Sequence, residues 1–303
     1  MKAPLMLLDS ASMYFRAYHG IPDKVTAPDG TPVNAVRGFL DNIGYLVRTR
    51  RPGSIVACMD ASWRPEFRVA AVPSYKAHRV KYGDVEEVPP ALIPQVPVIE
   101  ECLDALGIAR VGVHGYEADD VIGTLAAAAP GPVEVVSGDR DLFQVVDDTR
   151  GVRVLYIGRG VSKLQVVDDE WLRLKYGITG ATYADFALLR GDPSDGLPGV
   201  PGVGERTAAD LVEKYGSVDA MLAALDAGDL PKGTAAKIGA AADYLRAAGL
   251  VVRVAVDAEI PAHDPALPSA PADPERLVKL SERWGLDSPL NRVLTALKGG
   301  GDS

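Results

Sequence analysis

The chain has 303 residues, 47% of them hydrophobic, which suffices for a catalytic domain with its own core plus a smaller second unit and excludes disordered and fibrous classes. A net charge of −9 argues against a simple DNA-coating protein, whose surface would carry a basic excess, unless the negative charge is concentrated in one place. The two cysteines, Cys58 and Cys102, have no metal spacing and read as reduced core residues of a cytosolic protein, and the opening MKAPLMLLD is neither a signal peptide nor a membrane span.

In chain order, PLMLLD (4–9) is an apolar run of strand length that stops at Asp9 and passes through small residues into MYFRAYHG, a strand followed by a helix start. VNAVRGFLDNIGYLVRTRR has helical apolar spacing at positions 36, 39, 40, 43, 46 and 47. SIVACMD (54–60) repeats the opening pattern and ends in Asp60. Strand, helix, strand, helix in this order predicts an α/β fold with a mostly parallel central sheet flanked by helices. The segment from Trp63 to Tyr82 is the most basic of the chain, with Arg64, Arg68, Lys76, Arg79 and Lys81 interleaved with Phe67 and Tyr75. Such interleaving suits a nucleic-acid backbone with unstacked bases, and equally a solvated helix face with core aromatics. Lys81 to Pro97, rich in proline and acids, is a poor rigid element placed where a lid or arch could cover a site.

The stretch Gly115 to Val146 carries two groups of acids. Glu117, Asp119 and Asp120 start an alanine-rich helix, with Glu117 and Asp120 on one face and Asp119 about 100° round from its neighbour. Asp139 and Asp141 follow the strand VEVVSGD. Acids also favour helix starts through the macrodipole, so the first group alone is not diagnostic. However, Asp9, Asp60 and Asp139 all lie at carboxyl ends of strands, the edge where open α/β sheets place their sites. Like charges held close repel unless protonated or bound to cations, and oxygen ligands without histidine or cysteine point to Mg²⁺ or Mn²⁺ rather than zinc.

Further on, GVRVLYIG is a strand and a short helix begins near Asp168. RGDPSDGLPGVPGVGERTA then brings Asp192 and Asp195 after an apolar helix, and Gly199, Gly202 and Gly204 before another. A glycine turn between helices exposes backbone N–H groups and a helix start to phosphate. A small helical subdomain follows, then a Pro/Ala-rich linker from Ile260 to Pro274, a final helical pair, and a tail, KGGGDS, expected to fray. Nine candidate ligands (Asp9, Asp60, Glu117, Asp119, Asp120, Asp139, Asp141, Asp192, Asp195) carry as much negative charge as the whole net charge, which leaves the remaining surface free to hold basic patches.

The strings LLDSASMYFRAYHG, CMDASWRPEFR, SYKAHR, GYEADDVIGTLA, SGDRDLFQVV and RGDPSDGLPGVPGVGERTA resemble the bacterial 5′ nuclease (flap endonuclease) family, in order and with matching spacing to about residue 250. The resemblance is to standalone members and to the N-terminal domain of DNA polymerase I. It implies a PIN-like 5′ nuclease core over 1–180 with an arch region about 76–97, a helix-three-turn-helix DNA-binding subdomain over 181–255, and a linker with C-terminal helices over 256–303. It also implies that the nine acids bind two or more Mg²⁺ or Mn²⁺ ions, that Lys76 and Arg79 act on the scissile phosphate, and that Tyr75, Lys76, Arg79, Gly199, Gly202 and Gly204 contact DNA. A K⁺ ion on backbone carbonyls of the glycine turn, Val203 included, belongs to the same implication. The implied substrate is DNA with a 5′ end, flap or gap, or an RNA primer in an RNA–DNA hybrid, cut by a monomer in the cytoplasm at the nucleoid, without a membrane. Pro193 and Gly196 stand where the family usually has serine and asparagine. Two other classes are weighed. An acyl-phosphate phosphatase needs a second aspartate two residues after the first, where this chain has Ala11, and a non-catalytic DNA adaptor would have lost ligands, of which none is missing.

Overall fold

The computed structural model describes residues 3–83 and 85–299. Strand β1 (Leu5–Asp9) leads into helix α1 (Ser10–Gly20), then α2 (Asn34–Arg50), β2 (Ser54–Cys58) and the short α3 (Glu66–Ala71). A hairpin of β3 (Val80–Tyr82) and β4 (Val85–Glu86) precedes α4 (Gln95–Leu106), β5 (Ala109–Val111), α5 (Ala118–Ala128), β6 (Val133–Ser137) and β7 (Val152–Tyr156). The rest comprises β8 (Gln165–Val167), α6 (Asp169–Tyr176), α7 (Gly180–Arg190), α8 (Glu205–Tyr215), α9 (Val218–Ala227), α10 (Lys232–Ala240), α11 (Ala242–Val252), α12 (Pro274–Trp284) and α13 (Asp287–Gly299).

The main sheet has the order β5-β2-β1-β6-β7-β8, parallel throughout except for β8 at one edge. This is the α/β architecture expected from the alternating strand and helix patterns. Side chains on a strand point alternately to the two faces, so Leu7 packs with Val56, Val135 and Val154 under α5, α7 and α11. Met6 and Leu8 pack on the other face, with Ile55, Val136 and Leu155, beneath α2, α4 and α13. With both faces covered, the central strands can be apolar at nearly every position, which is why β1 and β2 read as hydrophobic runs.

Three elements were not legible in the sequence: β5, β8 and the β3–β4 hairpin, all three residues long or shorter. Of the expected arch segment, 76–97, the described residues before α4 begins at Gln95 form no helix beyond the single 3-10 turn Ala77–Arg79. Gly83, at φ +53°, turns the hairpin, and Pro89, Pro90 and Pro94 hold off a helix until Gln95. The linker from Ile260 to Pro274 carries no strand or helix until α12 begins at Pro274. Of the tail expected to fray, Lys298 and Gly299 complete α13, and residues 300–303 lie outside the described residues. No helix among the described residues is long and apolar enough to cross a membrane.

Candidate metal centre and DNA-facing turn

Parallel pairing of β1 with both β2 and β6 brings three carboxyl ends side by side. Asp9 is paired in register with Cys58, so Asp60 lies two residues beyond the same level and Asp139 two beyond Ser137. Asp9, Asp60, Glu117, Asp119 and Asp139 all line one pocket of 950 Å³, together with Glu86, Lys76 and Arg79. A second group adjoins it, since Asp192 lines a 410 Å³ cavity that also includes Asp139.

Each acid is held by the elements that deliver it. Asp9 caps α1 by accepting from the Ser12 N–H at 3.1 Å, and also accepts from the Ser137 hydroxyl at 2.5 Å. Asp60 accepts from the Ala118 N–H at 2.7 Å, which ties the end of β2 to the start of α5. Asp139 accepts from the Asp141 N–H at 3.0 Å, and Asp192 caps the 3-10 turn Pro193–Asp195 through the Ser194 N–H at 2.8 Å.

Crowding shows in the protonation of these groups. Burial, helped by Asp60 and Asp139, pushes the Asp9 carboxyl up to about 7 from its ordinary 3.8. Asp119 is driven well above the usual carboxylate range by burial and by Asp9 and Asp139. Asp141 moves the same way through burial and through Asp139, Asp195 and Asp192. Asp195 is also raised, chiefly by burial, although Lys76 and Arg79 pull it down. Protein cations therefore do not neutralise Asp9, Asp119 and Asp141.

Among the described residues no three or more histidine, cysteine, aspartate or glutamate side chains stand grouped, as they are turned here, so that they could hold a metal ion. Several carboxylates are turned onto protein donors instead. The donor set nevertheless fits hard divalent cations. It consists of carboxylates alone, converges on one concave surface, and is short of positive charge where the acids are most crowded.

Asp120 departs from the expectation that it binds metal. It is fully buried and does not line the pocket; both its oxygens are taken by Arg68 at 2.7 Å, and it accepts from the Glu117 and Ala255 N–H groups. With Glu117 it forms a capping box at the start of α5. The cause is Arg68, 2% exposed, which also donates to Glu117 and to the Val251 carbonyl at the end of α11. In the sequence Arg68 is one of several basic residues between Trp63 and Tyr82. The signal available was its place within an otherwise apolar turn of α3.

Lys76 and Arg79 diverge rather than sharing a helical face. Lys76 pairs with Glu117, and although burial disfavours its charge, Glu117 holds the ammonium well above its usual range. Arg79 donates to Asp195 at 3.0 Å and to the Ser194 carbonyl. Lys76 is left-handed at φ +48°, a strained conformation for a non-glycine residue, and its N–H donates to the Asp195 carbonyl. The contact needs Gly196, where a Cβ would come within 2.3 Å of the Ser74 carbonyl oxygen. Tyr75, expected to contact DNA, is buried and donates its hydroxyl to Glu117 at 2.7 Å.

In the glycine turn, Gly199 does not present backbone to solvent. It is buried, and a Cβ there would lie 2.6 Å from Arg190, so its role is to let the turn fold back onto α7. Val203 is also buried, and the Gly202 carbonyl accepts from Lys237. Gly204 differs, for it caps α8 without a side-chain bond, is exposed, and has open space around it. Its helix start is free to meet an anion.

Comparison with known proteins decides the family. Residues 4–177 match the model for the 5′-3′ exonuclease N-terminal resolvase-like domain, and residues 178–275 that for the 5′-3′ exonuclease C-terminal SAM fold. The chain belongs to the 5′-3′ exonuclease family. It is 60% identical over 299 residues to a 5′-3′ exonuclease of Streptomyces coelicolor, covering 96% of this chain and 99% of that one. It is 44% identical over 230 residues to DNA polymerase I of Mycobacterium bovis, covering 75% of this chain but 24% of that one. The bacteriophage T5 flap endonuclease, solved in a pseudo-enzyme-product complex with DNA and metal ions, has the same fold at a TM-score of 0.63 and 17% identity, covering 99% of this chain and 100% of that one.

Two expectations follow for this 5′-3′ exonuclease. An acid whose folded pKa is raised favours the protonated state, so without metal the enzyme should lose stability as pH rises from about 4 to about 7 through the Asp9 transition. Melting in EDTA should therefore show a higher Tm at pH 5.5 than at 7.5, and a divalent ion should raise the Tm mainly at the higher pH. Removing Arg68 (Arg68→Met) strands Asp120 in the core and should cost about 3–5 kcal/mol in urea unfolding, whereas a loss below about 1 kcal/mol would mean the pair is not holding α5.

Proposed function

We propose that the enzyme is a structure-specific 5′ nuclease, working both as a 5′-3′ exonuclease and as a 5′-flap endonuclease, with Asp9, Asp60, Glu117, Asp119, Asp139, Asp141, Asp192 and Asp195 as its metal-binding acids. The observation that carries this reading is the convergence of five of these acids with Lys76 and Arg79 on one pocket at the carboxyl edge of the sheet. The fold shared with a flap endonuclease solved with DNA and metal ions supports it.

Two divalent ions, Mg²⁺ or Mn²⁺, held by these eight carboxylates would supply Lewis acidity for water attack and for departure of the 3′ oxygen. The chain's own residues do the rest. The carboxylates fix where the phosphodiester is presented, and Lys76 places a cation where negative charge grows on the phosphoryl oxygens. In the absence of substrate that cation is held in reserve by Glu117, and Arg79 by Asp195. Cleavage of the P–O3′ bond leaves a 5′ phosphate on the retained strand. The reacting nucleotides must unpair to reach the acids, at a cost of a few kcal/mol.

Within this reading, residues 1–180 form the catalytic core with the hairpin segment 76–97 at its mouth, 181–255 form the duplex-gripping subdomain, and 256–303 brace the body. The open helix start at Gly204 is its phosphate contact. A K⁺ ion on the glycine turn would compete with the Lys237 ammonium for the Gly202 carbonyl. The biological substrates are flaps and RNA primers in replication and repair, processed by a monomer in the cytoplasm at the nucleoid.

Single-turnover cleavage of a labelled 5′ flap, run beside equilibrium binding in Ca²⁺, tests the roles. Asp139→Asn should abolish cleavage and leave binding largely intact, while Lys76→Ala should lower the rate far more than the affinity, because one phosphate contact contributes little to binding but much to the transition state. Turnover of Asp139→Asn above about a tenth of wild type, or equal losses of rate and affinity in Lys76→Ala, would remove those assignments.

A further inference from the structure

The concave surface continues past the acids. The 410 Å³ cavity containing Asp139 and Asp192 shares Arg140 and Tyr156 with a further cavity, also of 410 Å³, and this one shares Gly158 and Arg159 with the main pocket. The three form one connected surface. The last of them has a different character, because no carboxylate lines it. Four cations do: Arg140, Arg159, Lys163 and Lys175. Among the described residues none of the four is in an ion pair, whereas Arg68, Lys76 and Arg79 are all paired.

Aromatic rings line the same cavity. Phe143 stands edge-on to Tyr156 at 5.3 Å and to Trp171 at 5.8 Å, and Tyr176 meets Trp171 at 5.9 Å. These interlocked rings form a stiff platform, and Tyr156 and Trp171 remain half-buried, so part of each still faces solvent. Inorganic phosphate would satisfy the cations and leave the rings unused. An apolar peptide would do the reverse. Unneutralised cations beside partly exposed rings match a nucleotide, which presents phosphates and a π-face together. The volume falls in the range of about 300–1,000 Å³ usual for small-ligand sites.

We propose that this cavity binds an unpaired nucleotide of the substrate, its base against Trp171 and Tyr156 and its flanking phosphates on Arg159, Lys163 and Lys175. The assignment rests on the nuclease reading and extends it. The acids define where a bond is cut, and this cavity selects DNA that carries a single-stranded arm near that bond.

Lys163 and Lys175 are both exposed, so the double variant Lys163→Glu with Lys175→Glu should fold normally. Its binding in Ca²⁺ is measured on a 5′-flap duplex and on the same duplex without the arm, with Lys279→Glu on the distant α12 as a control for overall charge. The double variant should weaken flap binding by roughly tenfold, with a salt slope shallower by about one and a half units, and change binding of the armless duplex by no more than about twofold. Trp171→Leu should lower flap affinity with no change in salt slope. Equal losses on the two DNAs, an equal loss in Lys279→Glu, or unchanged flap binding would overturn the proposal. Cleavage of the flap in Mg²⁺ separates the two readings. A wild type that binds arms selectively but never cuts would sink the nuclease reading alone, and variants that cut and bind as wild type would sink this one alone.

Discussion

Mutual repulsion among carboxylates at one edge of a parallel sheet is the constraint on which the site depends. Asp9, Asp119 and Asp141 are held so close to other acids and so far from bulk water that each is pushed towards its neutral form. The protein tolerates this because backbone N–H groups, the Ser137 hydroxyl and a few cations share the load. Arg68 neutralises Asp120 and part of Glu117 from within the core, while Lys76 and Arg79 approach from the pocket wall. The core cation is structural; under the proposed function the other two would exchange a carboxylate for a phosphate.

The same contacts link distant parts of the chain. Arg68 donates to the carbonyls of Val251 and Arg253 as well as to the two acids that open α5, so the end of the helical subdomain reaches the start of the catalytic helix. The strained Lys76 is held by the loop that carries Asp195, through backbone bonds that only Gly196 permits. The second acid loop and the cation that faces the first acid group are therefore set as one unit. A change in either subdomain should be felt at the pocket.

How much of this could be read from sequence follows from the range of each signal. The strands leading to Asp9, Asp60 and Asp139 were legible because buried parallel strands are predominantly apolar, with Glu134 the one charged interruption, and their convergence followed from sheet topology. The helix starting at Glu117 was legible, but the fate of Asp120 was not. Spacing places Glu117 and Asp120 on one face, and it takes the fold to show that Arg68, 52 residues away, occupies that face. Similarly, the glycine turn was visible as a string of glycines, whereas the split between Gly199, buried for close packing, and Gly204, open to solvent, depends on how the turn folds back onto α7. Strands β5 and β8 were missed because three residues carry too little periodicity. The unpaired cations around Trp171 were scattered over 36 positions and came together only through β7, β8 and α6.

The central claim is that the carboxylates exist to hold divalent ions, and diffraction at the manganese edge from crystals soaked in Mn²⁺ tests it most directly. The account predicts anomalous density at the carboxyl edge of the sheet, within ligand distance of Asp9, Asp119 and Asp139, with a further ion towards Asp141, Asp192 and Asp195, and none at Asp120. An empty sheet edge at saturating Mn²⁺, or density confined to Asp120, would contradict it.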